Sequence, residues 1–117
     1  MAKYIFLQYV DESKMPAPGS AAMQQVIDAF ANYLEEVQKA GAFRDGDPCQ
    51  PSAAVFSATN HQGQAKISDG PMDAQSPWLN GYFVLDCKDR AEAESWAAKN
   101  PAAFAGTVEV HPILKLS

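Results

Sequence analysis

Two residues of this 117-residue chain have the chemistry and the backbone setting for proton transfer: Asp69 and His111. Histidine titrates near neutral pH, and a carboxylate can orient its ring and stabilise its charged form, so Asp69 and His111 are the best acid and base candidates. Asp69 sits in Ser68-Asp69-Gly70-Pro71, a turn in which Gly allows a positive φ and Pro fixes φ, between two apolar strand-like runs. A rigid turn holds its side chain still, although an Asp before Gly also commonly bonds its own backbone. Glu109 lies two residues from His111, on the same face if the segment is a strand, opposite Val108 and Val110. That face either looks into a cavity or is the solvated side of an edge strand.

The remaining reactive types point less sharply. Trp78 and Tyr82 are expected to line a pocket for a planar ligand or to pack the core beside a strand. His61 falls in the turn sequence Asn60-His61-Gln62-Gly63 and reads as a solvated loop residue. Cys49 and Cys87 have no neighbouring base and read as free thiols. No metal-ligand spacing links the histidines and cysteines, and no phosphate-binding loop occurs, so neither metal nor cofactor is expected.

Composition sets the frame for this chemistry. A single domain over residues 1–117 is expected at this length, and folding would bury roughly two-thirds of the unfolded chain's surface. Nine basic residues against fourteen acidic give a net charge of −5, with no basic block to neutralise phosphates, so nucleic acid is not an expected partner. The apolar run opening the chain is too short for a signal peptide, and none reaches the roughly 18 apolar residues of a membrane helix. The expectation is a cytoplasmic protein without a membrane partner.

The positioning elements are legible from periodicity. Lys3 to Val10 reads as a central strand, apolar on both faces, with Tyr4, Phe6 and Val10 on one side and Ile5, Leu7 and Tyr9 on the other. Ser20 is placed to cap a helix whose apolar stripe is Met23, Val26, Ile27, Phe30, Leu34 and Val37, and Gly41 ends it. Residues 42–51 read as a short extended or looped passage. Residues 52–59 and 65–67 form a hairpin around the His61 turn. Tyr82 to Leu85 is a second two-faced strand, Asp89 with Glu92 resembles a capping box, and residues 107–116 alternate as a final strand.

That order suits an α+β, ferredoxin-like sandwich: an antiparallel sheet with two helices on one face. Two helices cover one face only. The apolar second face of the two central strands is therefore expected to pack on a second subunit, making a homodimer.

Laid out in order, several segments resemble the YCII-related family, specifically its DGPF-domain branch. They are KYIFLQYVDE, CQP at Cys49 to Pro51, SDGPM where the branch usually has TDGPF, LNGYFVLD where it usually has LGGFYLID, AEAESWAAKNPAA and GTVEVHPI. The resemblance implies a ferredoxin-like protomer paired into a dimeric α/β barrel, with a pocket on the sheet's non-helical face. Related superfamilies run isomerase, lyase and oxygenase chemistry there without a bound cofactor. The wider family often pairs an early histidine with an aspartate, but residues 1–60 contain no histidine. Asp69 matches the branch's DGP aspartate, and His111 stands where a basic residue is usual. DAQSPW replaces the charged AETKEQ that tends to follow the turn.

Two functions follow from these readings. One is acid-base chemistry of an isomerase or lyase on a small molecule, with Asp69 and His111 catalytic and Trp78, Tyr82 and Glu109 binding. The other is a non-catalytic ligand- or partner-binding accessory protein, which the resemblance links to sigma factors of the extracytoplasmic-function type.

Overall fold

The computed structural model describes residues 1–116. Strand β1 (Ala2–Val10) leads through a short 3-10 turn to helix α1 (Ala21–Lys39), then to β2 (Phe43–Pro48), a hairpin of β3 (Phe56–His61) and β4 (Gln64–Asp69), strand β5 (Trp78–Cys87), helix α2 (Arg90–Lys99), the single turn α3 (Ala102–Ala105) and β6 (Gly106–Pro112). The main sheet is antiparallel with strand order β2-β5-β1-β6, and the helices lie on one face of it. This is the ferredoxin-like α+β arrangement, with a hairpin inserted between its second and third sheet strands.

The helix ends form as the residue types dictate. The Ser20 hydroxyl accepts from the backbone N–H of Met23, and Asp89 accepts from that of Glu92, each satisfying a donor that the first helical turn leaves free. Glu92 reaches back to the N–H of Lys88, one residue before the cap, in place of the reciprocal bond of a capping box. Gly41 takes φ +74° after the last turn of α1, a conformation that would strain a residue with a Cβ.

The core is the helix-facing half of the alternation. Phe6, Val37, Leu85 and Cys87 are fully buried, and Tyr33 stands edge-on to both Phe83 and Trp96. The Tyr33 hydroxyl donates to the Trp96 carbonyl at 2.8 Å, which ties α1 to α2. Burial pushes the Cys87 thiol up to about 11 and the negative charge of Glu92 adds to the effect, so this cysteine is a filler and not a nucleophile.

Two expectations are corrected. One edge strand of the sheet is β2, within the passage read as extended or looped, because Gly46, Pro48 and the charges of Arg44, Asp45 and Asp47 mask its alternation. Such residues are what an edge strand tolerates and a central strand does not. The hairpin strands β3 and β4, expected within the sheet, pair only with each other. They form an arm. The molecule measures 46 × 46 × 17 Å with a radius of gyration of 16.0 Å, against about 13 Å for a compact domain of this length.

Candidate functional site

The two faces of the sheet carry different chemistry, and the register of the strands decides which residue belongs to which. On the open face, cross-strand pairing builds two rows: Glu109, Leu7, Tyr82 and Asp47, then His111, Ile5, Val84 and Asp45. Each row is apolar in the middle and ionisable at the edges. His111 Nε2 lies 2.6 Å from Glu109 Oε1, and the Tyr82 hydroxyl donates to Asp45 Oδ2 at 3.3 Å. Partial burial, then the negative charge of Asp45, pushes the Tyr82 phenol above its ordinary value. The two edges stand three strand spacings apart, about 14 Å, so these polar pairs cannot act on one another directly.

Asp69 joins neither pair. It ends β4, opposite Phe56 on the arm, and among the described residues its carboxylate takes no hydrogen bond. Gly70, at φ +101°, donates its N–H to the Val55 carbonyl at 2.7 Å and accepts from the Ser57 hydroxyl at 2.8 Å, so the turn closes the arm's base through its backbone. Within one protomer, Asp69 and His111 lie on separate sheets.

The helix face holds the cleft. Between the amino-terminal half of α1 and the β2–β5 side of the sheet is a cavity of about 410 Å³ walled by Met15, Met23, Val26, Ile27, Phe30 and Leu34 and reaching Trp78 and Tyr82. That volume is in the range of small-molecule sites. A wider cleft of about 620 Å³ flanks the other side of α1 and shares Met15, Val26, Phe30 and Asn80 with the first. Among the sequence candidates, Trp78 and Tyr82 border the first cleft, although the Tyr82 hydroxyl is directed to Asp45 on the open face; Asp69, Glu109 and His111 border neither cleft.

Three amides, the buried Gln8 and Asn100 and the half-buried Asn80, support the cleft, and sequence reading missed them. Gln8 is a buried polar residue between Phe6 and Val10 on the helix-facing side of β1. Its Oε1 accepts from Asn100 Nδ2 at 2.9 Å, its Nε2 donates to Asn80 Oδ1 at 3.2 Å, and Asn100 Oδ1 accepts from the backbone N–H of Ala102 at 2.9 Å. The two buried members, Gln8 and Asn100, are each bonded through their side-chain amides, as burial requires. Asn80 turns toward Gln8 because the β1–β5 ladder slips there: Gln8 pairs with Gly81 but Tyr9 with Leu79, a bulge that re-aims the extra residue. Gly81 leaves the room, since a Cβ there would stand 3.0 Å from Gln8 Nε2. The signal in the sequence was Gln8, a polar residue at an inward position of an otherwise apolar strand.

The cleft is braced at its rim. Trp78 Nε1 donates to the Gln50 carbonyl at 3.0 Å, and the backbone N–H of Cys49 donates to the Asn80 carbonyl at 2.8 Å. Glu12 accepts from both the hydroxyl and the backbone N–H of Ser52, which hold its carboxyl below the usual range and fasten the loop after β1 to the base of the arm.

With the fold and cleft described, the relatives can be placed. A profile of the YCII-related domain matches residues 2–117. The chain belongs to the YCII-related domain family. An uncharacterised protein of Rhizobium meliloti (strain 1021), R00369, is 25% identical over 112 residues, covering 94% of this chain and 90% of its own. Among solved structures, 5-chloro-2-hydroxyhydroquinone dehydrochlorinase (TftG) from Burkholderia phenoliruptrix AC1100, in complex with 2,5-dihydroxybenzoquinone, is similar at 16% identity with a TM-score of 0.49, covering 98% of this chain and 95% of that one. Among the described residues of this YCII-related protein no cluster of three or more His, Cys, Asp or Glu could hold a metal ion, and no helix is long and apolar enough to cross a membrane.

Proposed function

We propose that this protein binds a small, uncharged, largely apolar molecule carrying a hydrogen-bond acceptor, in the cleft beneath the amino-terminal half of α1. One observation carries the reading. Asn80 is held by Gln8 through its Oδ1, while its Nδ2 donates to no group among the described residues and fronts an apolar cavity. An amide donor fixed against an apolar wall selects a carbonyl-type acceptor, because a ligand lacking one leaves that donor unpaired. A neutral ligand fits better than an ion. The buried network beneath is built wholly of amides, and a charge brought there would lose its hydration without a counter-charge.

The test is a titration with benzamide, which is planar, neutral and carries a carbonyl, followed by tryptophan fluorescence. Saturable binding is expected, with affinity about tenfold lower in Asn80→Gly, the loss of about one hydrogen bond. Val26→Trp, which fills the cleft, is expected to abolish binding. Equal affinity in all three proteins would refute the site.

The second reading, acid-base catalysis, is favoured by the 2.6 Å contact of His111 with Glu109 on the open face. In that reading His111 shuttles a proton and a carboxylate stabilises its charged form, in an isomerase or lyase reaction on a ligand that meets Tyr82. Glu109 is the carboxylate in contact with His111, whereas Asp69 stands on the separate two-stranded sheet.

A further inference from the structure

Helix α1 is packed into the core by one half only. Its buried residues are Tyr33 and Val37, both in the carboxyl-terminal half, where the Tyr33 hydroxyl also bonds the Trp96 carbonyl at 2.8 Å. The amino-terminal half buries nothing, although Met23, Val26 and Phe30 recur there at the spacing of a core-facing stripe. Those side chains are half-covered because they look into open space. Val26 and Phe30 wall the cavity of about 410 Å³ on one side of the helix and the cleft of about 620 Å³ on the other. The amino-terminal half of α1 therefore spans a gap.

The amide relay is the floor of that gap. Asn80 borders both clefts, Gln8 the first, and Asn100 leads into Pro101 and Ala102, which border the second. From the Asn80 amide through Gln8 to that of Asn100 is at most about 8 Å, short enough for one small molecule to lie along it. Next to this floor the second cleft is walled by buried Val10, Tyr33 and Ala102. Its charged groups, Lys14, Glu36 and Lys99, are all exposed and keep their hydration at the mouth. Phe104, 84% exposed on the single turn α3, is a large apolar side chain on the same cleft that nothing covers among the described residues.

We infer that the two clefts are one passage beneath α1, and that its ligand is a neutral carbonyl compound with an apolar group on each side of the carbonyl, such as an N-alkyl amide, an ester or a ketone. The inference rests on the proposed binding of an acceptor by Asn80 and extends it. Asn80 stands where the clefts meet, so a carbonyl held by its Nδ2 has one substituent toward Trp78 and the other toward Tyr33 and Phe104. A compound with a single arm, such as benzamide, leaves the second cleft to water. A compound with two arms buries apolar surface on both sides of the same hydrogen bond, which strengthens binding by about fourfold for each methylene fully buried.

Calorimetric titrations of benzamide and of N-butylbenzamide into the wild type and Ala29→Trp test this. Ala29 is exposed on α1 and borders the second cleft but not the first, so the larger side chain obstructs that arm of the passage without entering the core. In the wild type N-butylbenzamide is expected to bind at least tenfold more tightly than benzamide. In Ala29→Trp that advantage is expected to vanish while benzamide binds as before. Benzamide bound by the wild type, with N-butylbenzamide no tighter or with its advantage intact in Ala29→Trp, overturns the passage and leaves the reading of the first cleft standing. Failure of both compounds to bind the wild type overturns the two together.

Discussion

The two faces of one sheet use polar groups in opposite ways. On the helix face of β1, Phe6 is fully buried and Gln8 is 4% exposed; on the open face Ile5, Leu7 and Tyr9 remain half-covered. The covered face admits only neutral amides, each tied to another, because an ion there would lose its water. The half-covered face carries the ionisable pairs Glu109–His111 and Tyr82–Asp45, which keep access to solvent at the sheet edges. One alternation of side chains therefore separates a face of neutral amides from a face of ionisable pairs. The proposed recognition of a neutral molecule uses the first.

The sharpest way to break this contrast is to truncate neighbouring residues on β1. Phe6→Ala is expected to cost about 3–5 kcal/mol in urea unfolding, as a large core side chain lost from a closed site. Leu7→Ala, one residue along on the open face, is expected to cost about 1 kcal/mol or less for the isolated protomer. Equal costs would mean that the two faces are equally covered. Gln8→Leu comes next, at about 1–3 kcal/mol, since it leaves the amides of Asn80 and Asn100 without their shared partner. It should also weaken benzamide binding by freeing Asn80 to turn.

The smallest effect lies at the base of the arm. Glu12 has a folded pKa below its ordinary value of 4.5 because Ser52 donates to it twice. The contact contributes stability that is complete above the ordinary value and is lost as pH falls through the folded pKa. Glu12→Gln is therefore expected to melt slightly lower than wild type near neutral pH, with the gap closing as pH falls through the folded pKa of Glu12. A gap that persisted in acid would show that the carboxylate's charge is not what holds the arm's base.

Much of the fold was legible because helices and central strands announce themselves by period. The stripe from Met23 to Val37, the cap at Ser20 and the two-faced runs of β1 and β5 all lie where the pattern put them. Edge and arm were harder for a physical reason. An edge strand is selected for solubility, so Asp45, Gly46, Asp47 and Pro48 conceal β2, whereas the alternation of residues 56–69 reveals strands without naming their neighbours. The site was legible only in part. The sequence pointed to a pocket on the open face with Asp69, Tyr82 and His111, whereas the cleft lies on the helix face and borders Trp78 and Tyr82; Glu109 and His111 share one face of β6. Asn80 was missed because a bulge is a property of two paired strands, and no single segment shows where their register slips.

The measurement closest to the central claim follows the benzamide titration residue by residue, in two-dimensional ¹⁵N NMR spectra that include the side-chain amides and indoles. Saturating shifts are expected at the side-chain amides of Asn80 and Gln8 and at the Trp78 indole, with Glu109 and His111 unmoved. Shifts centred on His111 and Tyr9 instead, with the Asn80 and Gln8 amides still, would place recognition on the open face and contradict the division between the two.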